Sequence, residues 1–413
     1  MKRKLIRQMC AEWRSNLWLM LELLIVGAVL YMLFLFVASM LHVRNRPGGM
    51  ELKNLYIGRV ATIPETATGY KPYADSTRNP DTDRLTLLDN LRSNPYVECI
   101  GEGYNAIPYN YSYWGTEFQC RVADDSVQTM GANMRFMTPE LVKALRLRGK
   151  RGETPEQIAA MLEEGQILVS QAERGEYNYD ASMWLGRRAM NNGDSTSLKT
   201  VGAVIEDIRR NDYEAASGTV VQNMLVAPDL WSIQVAIRVK DGRMEDFIQS
   251  LKAADMEFGN VYLTDLQTID ARRDNAQHEI NDTFRNISAC VLFLMLSVFL
   301  GFLGTFWYRT QQRDSELALR KVNGATNGDL MRRMISEGLL LLVIPALLLL
   351  GVIFWVVAGI DLEEKGMPAM PDMMRYYVWL FTVAALAVMI VAGIWFPARR
   401  AMRVQPALAL QEQ

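Results

Sequence analysis

Four uninterrupted apolar stretches constrain this chain more than any other feature: Leu17–Leu41, Ile287–Tyr308, Gly338–Ile360 and Tyr376–Phe396. Each exceeds the ~20 residues that a helix needs to cross a ~30 Å hydrocarbon core. Glu22 is the only charge in the first, and the other three carry none. Core helices of soluble proteins rarely run so long without charge, and four of them argue against that reading. The expected fold is an integral membrane α-helical protein with four transmembrane helices. A large α+β extracytoplasmic domain is expected between the first and second.

The distribution of charge orients the spans. Residues 1–16, 309–337 and 397–413 together hold 14 basic residues against six acidic ones, whereas 42–286 holds 28 against 35 and 361–375 holds two against four. The positive-inside rule then puts both termini and the 309–337 segment in the cytoplasm. Met1-Lys2-Arg3-Lys4 resembles the basic start of a signal peptide, but the apolar run that follows is 25 residues long. A cleavable peptide has roughly 7–15, so an uncleaved signal anchor is expected. The net charge of −2 points neither to nucleic acid nor to an acidic partner.

These features divide the chain as follows. A basic cytoplasmic helix (1–16) leads into the first span (17–41). An extracytoplasmic domain (42–265) is followed by a stalk helix that continues into the second span (266–308). A cytoplasmic elbow (309–337), the third span (338–360), a short outer loop (361–375), the fourth span (376–396) and a cytoplasmic tail (397–413) complete it.

Within 42–265, helices are expected from Asp81, at "TPELVKAL" (138–145) and at "RMEDFIQSLKAAD" (243–255), where capping residues or proline open an amphipathic run. Strands are expected at "YVECIGEGY", around "YNYSYWG" and "EFQCRVAD", and at "EGQILVSQAE", "LKTVGAVIEDIRR" (198–210), "WSIQVAIRVKDG" (231–242) and "GNVYLTDL" (259–266). Such a mixture indicates an α+β domain of two lobes. From Leu266 to Ile287, Leu266, Ile269, Ala276, Ile280, Phe284 and Ile287 fall at helical spacing, with no glycine or proline between them. Two readings stand for that helix: a mechanical stalk into the membrane, or a helix packed on its own domain.

Catalytic signatures are absent from the sequence. There is no G-x-x-x-x-G-K-[ST], so no P-loop nucleotide site, and no G-x-S-x-G. His42 and His278 have no partner at metal-ligand spacing, so no metal site is expected. Neither a catalytic residue nor a bound cofactor is expected in this chain. Cys99 and Cys120 both fall in the extracytoplasmic domain, where an oxidising compartment permits a disulfide; two free buried thiols are the alternative. Glu22, about five residues into its span, either snorkels to the interface or meets another span or a partner subunit.

"RDSELALRKVNGATNGDLMRR" (313–333) is the most informative polar segment. Glu316 and Arg320 stand at i,i+4 in the favourable order, and Ala318, Val322 and Ala325 line one face. A helix over 313–322 would be about 15 Å long. Gly324 should end it, and Thr326 with Asp329 resembles a capping box that starts the next helix. A basic amphipathic helix can lie on anionic lipid headgroups. The face here is narrow and lacks Trp or Phe, which better suits a groove on a soluble protein.

The same segment resembles the signature of the FtsX-like permeases, the family that includes MacB-type macrolide exporters and lipoprotein-release permeases. Arg313, Glu316, Leu319, Arg320, Lys321, Gly324, Ala325 and Thr326 fall at its positions, with Val322 in the helix, while Asn323 departs from it. In the tail, Pro397, Ala398, Arg400, Ala401, Pro406, Ala409 and Leu410 also match. The resemblance implies a type VII ABC permease with a MacB-like periplasmic core domain, in a bacterial inner membrane. It further implies a separate P-loop ABC ATPase, which would hold ATP and Mg and dock on the elbow as coupling helix. A second permease, copy or paralogue, would complete a dimer. Mechanotransmission by the stalks would drive efflux, with a periplasmic adaptor, an outer-membrane channel and membrane lipids as further partners. Lipoprotein release and activation of a cell-wall hydrolase are the alternatives within the family.

Overall fold

A computed structural model describes residues 13–46, 48–73, 78–110, 114–123, 126–171, 179–214, 217–224, 233–312, 319–359 and 371–401. The basic segment 1–12, Arg313 and Glu316, most of the 361–375 loop and the tail after 401 lie outside the described residues. Two compact units divide the chain, Met1–His42 with Ile280–Gln413, and Val43–Glu279.

Among the described residues of the first unit, four helices are long and apolar enough to cross a bilayer. The chain enters through α1 (Trp13–Arg44). The inserted unit begins with β1 (Leu55–Thr62), α2 (Pro80–Arg92), β2 (Val97–Tyr104), β3 (Gly115–Ala123) and β4 (Ser126–Met137). It continues through α3 (Pro139–Ala144), α4 (Pro155–Glu163), β5 (Ile167–Ser170), β6 (Arg188–Asn191), β7 (Lys199–Ile205) and β8 (Thr219–Asn223). It closes with β9 (Gln234–Val239), α5 (Met244–Ser250), β10 (Glu257–Phe258) and β11 (Val261–Thr268). The last three spans are carried by α6 (Ile269–Gln312), α7 (Asn327–Gly359) and α8 (Asp372–Ala401).

Leu19, Leu23 and Leu30 of α1, Phe302 of α6, Leu341 and Leu342 of α7, and Leu386, Ile390 and Ile394 of α8 form one buried cluster. Several hydroxyls within the spans are satisfied locally, as hydrocarbon demands. The hydroxyls of Ser288, Ser297 and Thr382 donate to carbonyls four residues earlier. The Trp379 indole N–H donates to the Ala346 carbonyl at 3.1 Å.

The inserted unit is an α+β domain whose strands run in the order β10-β11-β1-β9-β2-β4-β3-β6-β7-β5-β8. A parallel pairing of β4 with β8 (Asn133↔Thr219 to Met137↔Asn223) closes the last six into a ring. That ring is filled, not hollow: Phe118, Met130, Ile167, Val169, Trp184, Val201 and Val220 pack inside it, each worth about 1.5–3 kcal/mol of burial. The Trp184 indole N–H finds Gln128 Oε1 at 2.8 Å. The remaining strands form an open antiparallel sheet with α2 and α5 against it, around Leu87, Leu88, Ile237 and Phe247. A third cluster, under α3 and α4, joins the two sheets.

Local chemistry explains most boundaries. Thr138 and Thr154 cap α3 and α4, each ahead of a proline in the first turn. Asn79 and Thr82 make a reciprocal capping box for α2, which starts at Pro80. Several expected elements are shorter than their patterns. The 198–210 strand stops at Ile205, and the 243–255 helix stops at Ser250 and resumes as a 3₁₀ turn over Ala253–Met256. Tyr109 and Asn110 form no strand; Tyr109 sits in the left-handed region (φ 62°) and is buried. The helix expected from Leu266 begins at Ile269 instead. Gln267 and Thr268 are still paired with Ile57 and Tyr56 of β1, and backbone hydrogen bonding in the ladder holds those residues extended. One residue extra on β11 makes a bulge there, with Asp265 in the left-handed region (φ 54°).

Asp83, at the first turn of α2, is fully buried and accepts from Arg78 at 2.9 Å, Tyr73 Oη at 2.9 Å and the Asn260 N–H at 3.1 Å. Burial alone would raise its pKa, but these donors outweigh it and hold the carboxyl below the usual range. A lowered folded-state pKa stabilises above the ordinary carboxylate pKa and is lost as pH falls through the folded value. Asp83→Asn is therefore expected to lower the thermal stability of the full chain at neutral pH by roughly 1–3 kcal/mol. The gap between variant and wild type should narrow on acidification below pH ~4. A gap independent of pH would mean that the charge does not matter.

Candidate functional site

The elbow between α6 and α7 is described from Leu319 onward. Residues 319–322 are helical, and their end is a complete Schellman turn. The Gly324 N–H donates to the Lys321 carbonyl at 3.0 Å, and the Ala325 N–H to the Arg320 carbonyl at 3.0 Å. Gly324 supplies the left-handed residue that this turn needs, with φ 88°. Two residues later the next helix is capped. Asp329 N–H donates to Thr326 Oγ1 at 3.2 Å, and Thr326 N–H donates back to Asp329 Oδ2 at 3.2 Å. A helix stop and a helix start thus follow each other with no slack between them, and α7 continues unbroken into its span.

Side chains on this corner sort by role. Leu330, just inside α7, is buried in the membrane unit's core, and Ala325 packs against the same cluster. Arg333 and Glu337 pair at i,i+4 (3.1 Å). Leu319 and Val322 point outward, 56% and 63% exposed, with Arg320 and Lys321 half-buried between them.

A basic-aromatic belt lies toward the end of α6 and α8. Arg399 stacks over Trp395 at 5.1 Å, Arg400 over Trp307 at 5.1 Å, and Trp307 stacks on Phe396. Aromatic and snorkelling basic side chains of this kind mark a membrane–water interface. The belt was not anticipated from the sequence, although Trp395 and Arg399 stand at i,i+4.

The remaining sequence candidates are dispersed. Glu22 is half-buried on α1 beside Leu19 and Leu23, with no hydrogen-bond or ion-pair partner among the described residues. The possible Cys99–Cys120 bond is not formed, and both thiols are free. Cys99 lies on β2 and Cys120 on β3 with β4 between them; Cys120 faces Gln128 on β4, whereas β2 meets β4 only at Phe136 and Met137, so the two cysteines are far beyond bridging distance. Burial pushes both thiols' pKa up. Among the described residues, no group of three metal-ligating side chains gathers.

Comparison with known proteins bears on this region directly. Residues 288–406 match the family model described as FtsX-like permease C-terminal. The likeness read from elbow and tail therefore holds over the last three spans and everything between them. No curated protein sequence matches the chain. Among solved structures, it is similar to the extracellular domain of the noncanonic ABC-type transporter YknZ from Gram-positive bacteria. Identity is 10%, covering 51% of this chain and 100% of that one, at a TM-score of 0.29. At that score the likeness carries no weight for the fold or for function.

Two outcomes check this geometry. Gly324→Val should speed tryptic cleavage after Arg320 or Lys321 in the detergent-solubilised chain, since a left-handed β-branched residue costs about 1–2 kcal/mol. Gly324→Asn should be tolerated far better, because Asn visits that region readily. Equal cleavage rates for both variants would show that the turn does not use this conformation. Peptide mass spectrometry without reductant should find both Cys99 and Cys120 alkylatable.

Proposed function

We propose that this chain is the permease subunit of an ABC transporter, coupling ATP hydrolysis by a separate P-loop ATPase to movement of its inserted α+β unit. The observation that carries the reading is the elbow. Exposed Leu319 and Val322, with Arg320 and Lys321 beside them, sit on a corner locked by a Schellman turn and a capping box. A force applied there passes into α7 without being absorbed by a flexible loop. The match over 288–406 supports the same assignment.

Orientation follows from charge. The elbow and the belt of Arg399 and Arg400 belong on the cytoplasmic side of a bacterial inner membrane, with both termini there and the inserted unit in the periplasm. α6 runs without a break from Ile269 to Gln312, through the second span and its periplasmic extension, and serves as the stalk. Two such permeases, identical or paralogous, form the working dimer. Substrate is expelled from the periplasm or the outer leaflet and does not cross between the spans. This fits spans whose only ionisable residue is Glu22, since ionisable groups usually mark intramembrane pathways. ATP and Mg belong to the ATPase partner, and an adaptor and an outer-membrane channel would complete an exporter.

The test is a mild-detergent pull-down of the tagged chain from native membranes, with and without trapped ATP. A P-loop ATPase should co-purify, and Arg320→Glu with Lys321→Glu should abolish its capture while leaving the chain folded. Recovery of an adaptor and a channel is expected with it. Capture of a cell-wall hydrolase in their place would turn the reading toward activation. Unchanged ATPase capture by the charge-reversed variant would remove the elbow from the interface.

A further inference from the structure

The inserted unit has two chain connections to the spans: the segment leaving α1 after Val43 and the start of α6 from Ile269. One irregular loop, residues 206–213 after β7, holds both. Its residues carry the polar end of "VGAVIEDIRRND".

On the first side, Arg209 is buried and its guanidinium donates to the carbonyls of Val43, in the last turn of α1, and Arg46, just beyond it. The Val43 carbonyl also accepts from the Arg46 N–H at 3.2 Å, and near a helix C-terminus a cation is a favoured added donor. Gly49 passes so close to the same loop that a Cβ built on it would lie 2.4 Å from the Asp207 carbonyl oxygen. On the second side, the buried carboxylate of Asp212 accepts from Arg273 Nε on the second turn of α6. Its other oxygen accepts from Tyr109 Oη at 2.9 Å. The two sides meet inside the loop, where Arg209 Nη1 also donates to the Asp212 carbonyl at 3.3 Å.

The loop itself is fixed to the domain. The Tyr109 N–H donates to the Arg210 carbonyl at 2.8 Å, the Glu206 N–H to the Arg148 carbonyl at 2.9 Å, and Lys150 pairs with Asp207 at 2.9 Å. Ile208 is buried in the cluster under α3 and α4. Asn211 accepts from the N–H groups of Tyr213 and Glu214, which holds the turn.

We infer that the 206–213 loop is a latch that fastens the exit of α1 and the start of α6 to each other and to the sheet, so that the two connections move as one body. Arg209, Asp212, Arg273 and Tyr109 are its positioning residues. For the transport cycle this inference rests on the stalk reading above: motion delivered by α6 would reach the ring of strands through Asp212 rather than dissipate in a hinge at Ile269. Buried hydrogen bonds to charged groups are strong enough for this, because each broken one leaves a desolvated partner behind.

Hydrogen exchange on the full chain in nanodiscs tests it without any ATPase. Arg273→Met is expected to raise exchange roughly tenfold not only at 269–279 but also at 43–49, on the far side of the loop. Arg273→Lys should restore protection at both segments by keeping a donor on Asp212. Tyr109→Phe, which removes one hydrogen bond and almost no volume, should give a smaller rise at the same two segments and stands in if Arg273→Met does not fold. A rise confined to 269–279, with 43–49 at the wild-type rate, would overturn the latch and leave two independent anchors. Joint loosening in a chain that captures no ATPase would keep the latch and remove the transport reading instead.

Discussion

Hydrocarbon offers no hydrogen bonds, and everything else in this chain is arranged around that fact. Within the bilayer the backbone must satisfy itself, which leaves helices as the form available to these four runs. Irregular backbone among the described residues lies between the spans. The elbow stops one helix and starts another within a few residues, through the turn at Gly324 and the capping pair Thr326 and Asp329. The inserted unit receives the same treatment where it joins the spans, through Arg209 on one connection and Arg273 on the other. Stiff joints at both ends suit the proposed transmission of displacement.

The inserted unit combines two ways of building a β structure. One half is a ring of six strands packed solid around Trp184 and Phe118, and the other an open sheet shielded by α2 and α5. Many of the unit's buried polar groups are engaged within the fold. Asp83 with Arg78, Asp212 with Arg273 and Arg238 with the carbonyls of Ala144 and Lys53 are all structural.

What could be read from the sequence was local. Capping at Thr138, the break at Gly324 and the box formed by Thr326 and Asp329 each depend on residues within a few positions, and the helix-forming apolar runs announce themselves by length. What stayed hidden depended on distant partners. Ile205 ends its strand because Asp207 and Arg209 bind groups far off in the sequence, and the pattern "IEDIRR" carries no sign of which carbonyls Arg209 will meet. Leu266 fits a helical stripe, yet the ladder with β1 keeps its neighbours extended. Cys99 and Cys120 are near in sequence but separated by an intervening strand that pairs from elsewhere. The aromatic belt at Trp307, Trp395 and Phe396 needed two helices side by side to be seen.

The bulge at Asp265 has a consequence for how copies of this molecule can meet. One flank of the sheet is made of the two-residue β10 and the remainder of β11. That flank is short, and Asp265 twists it out of register with a straight neighbour. Adding a foreign strand there is disfavoured, so neighbouring copies of this domain are protected from zipping together edge to edge. Any pairing between neighbours then falls to side chains on helices and loops, contacts that can be made and released repeatedly without unravelling a sheet.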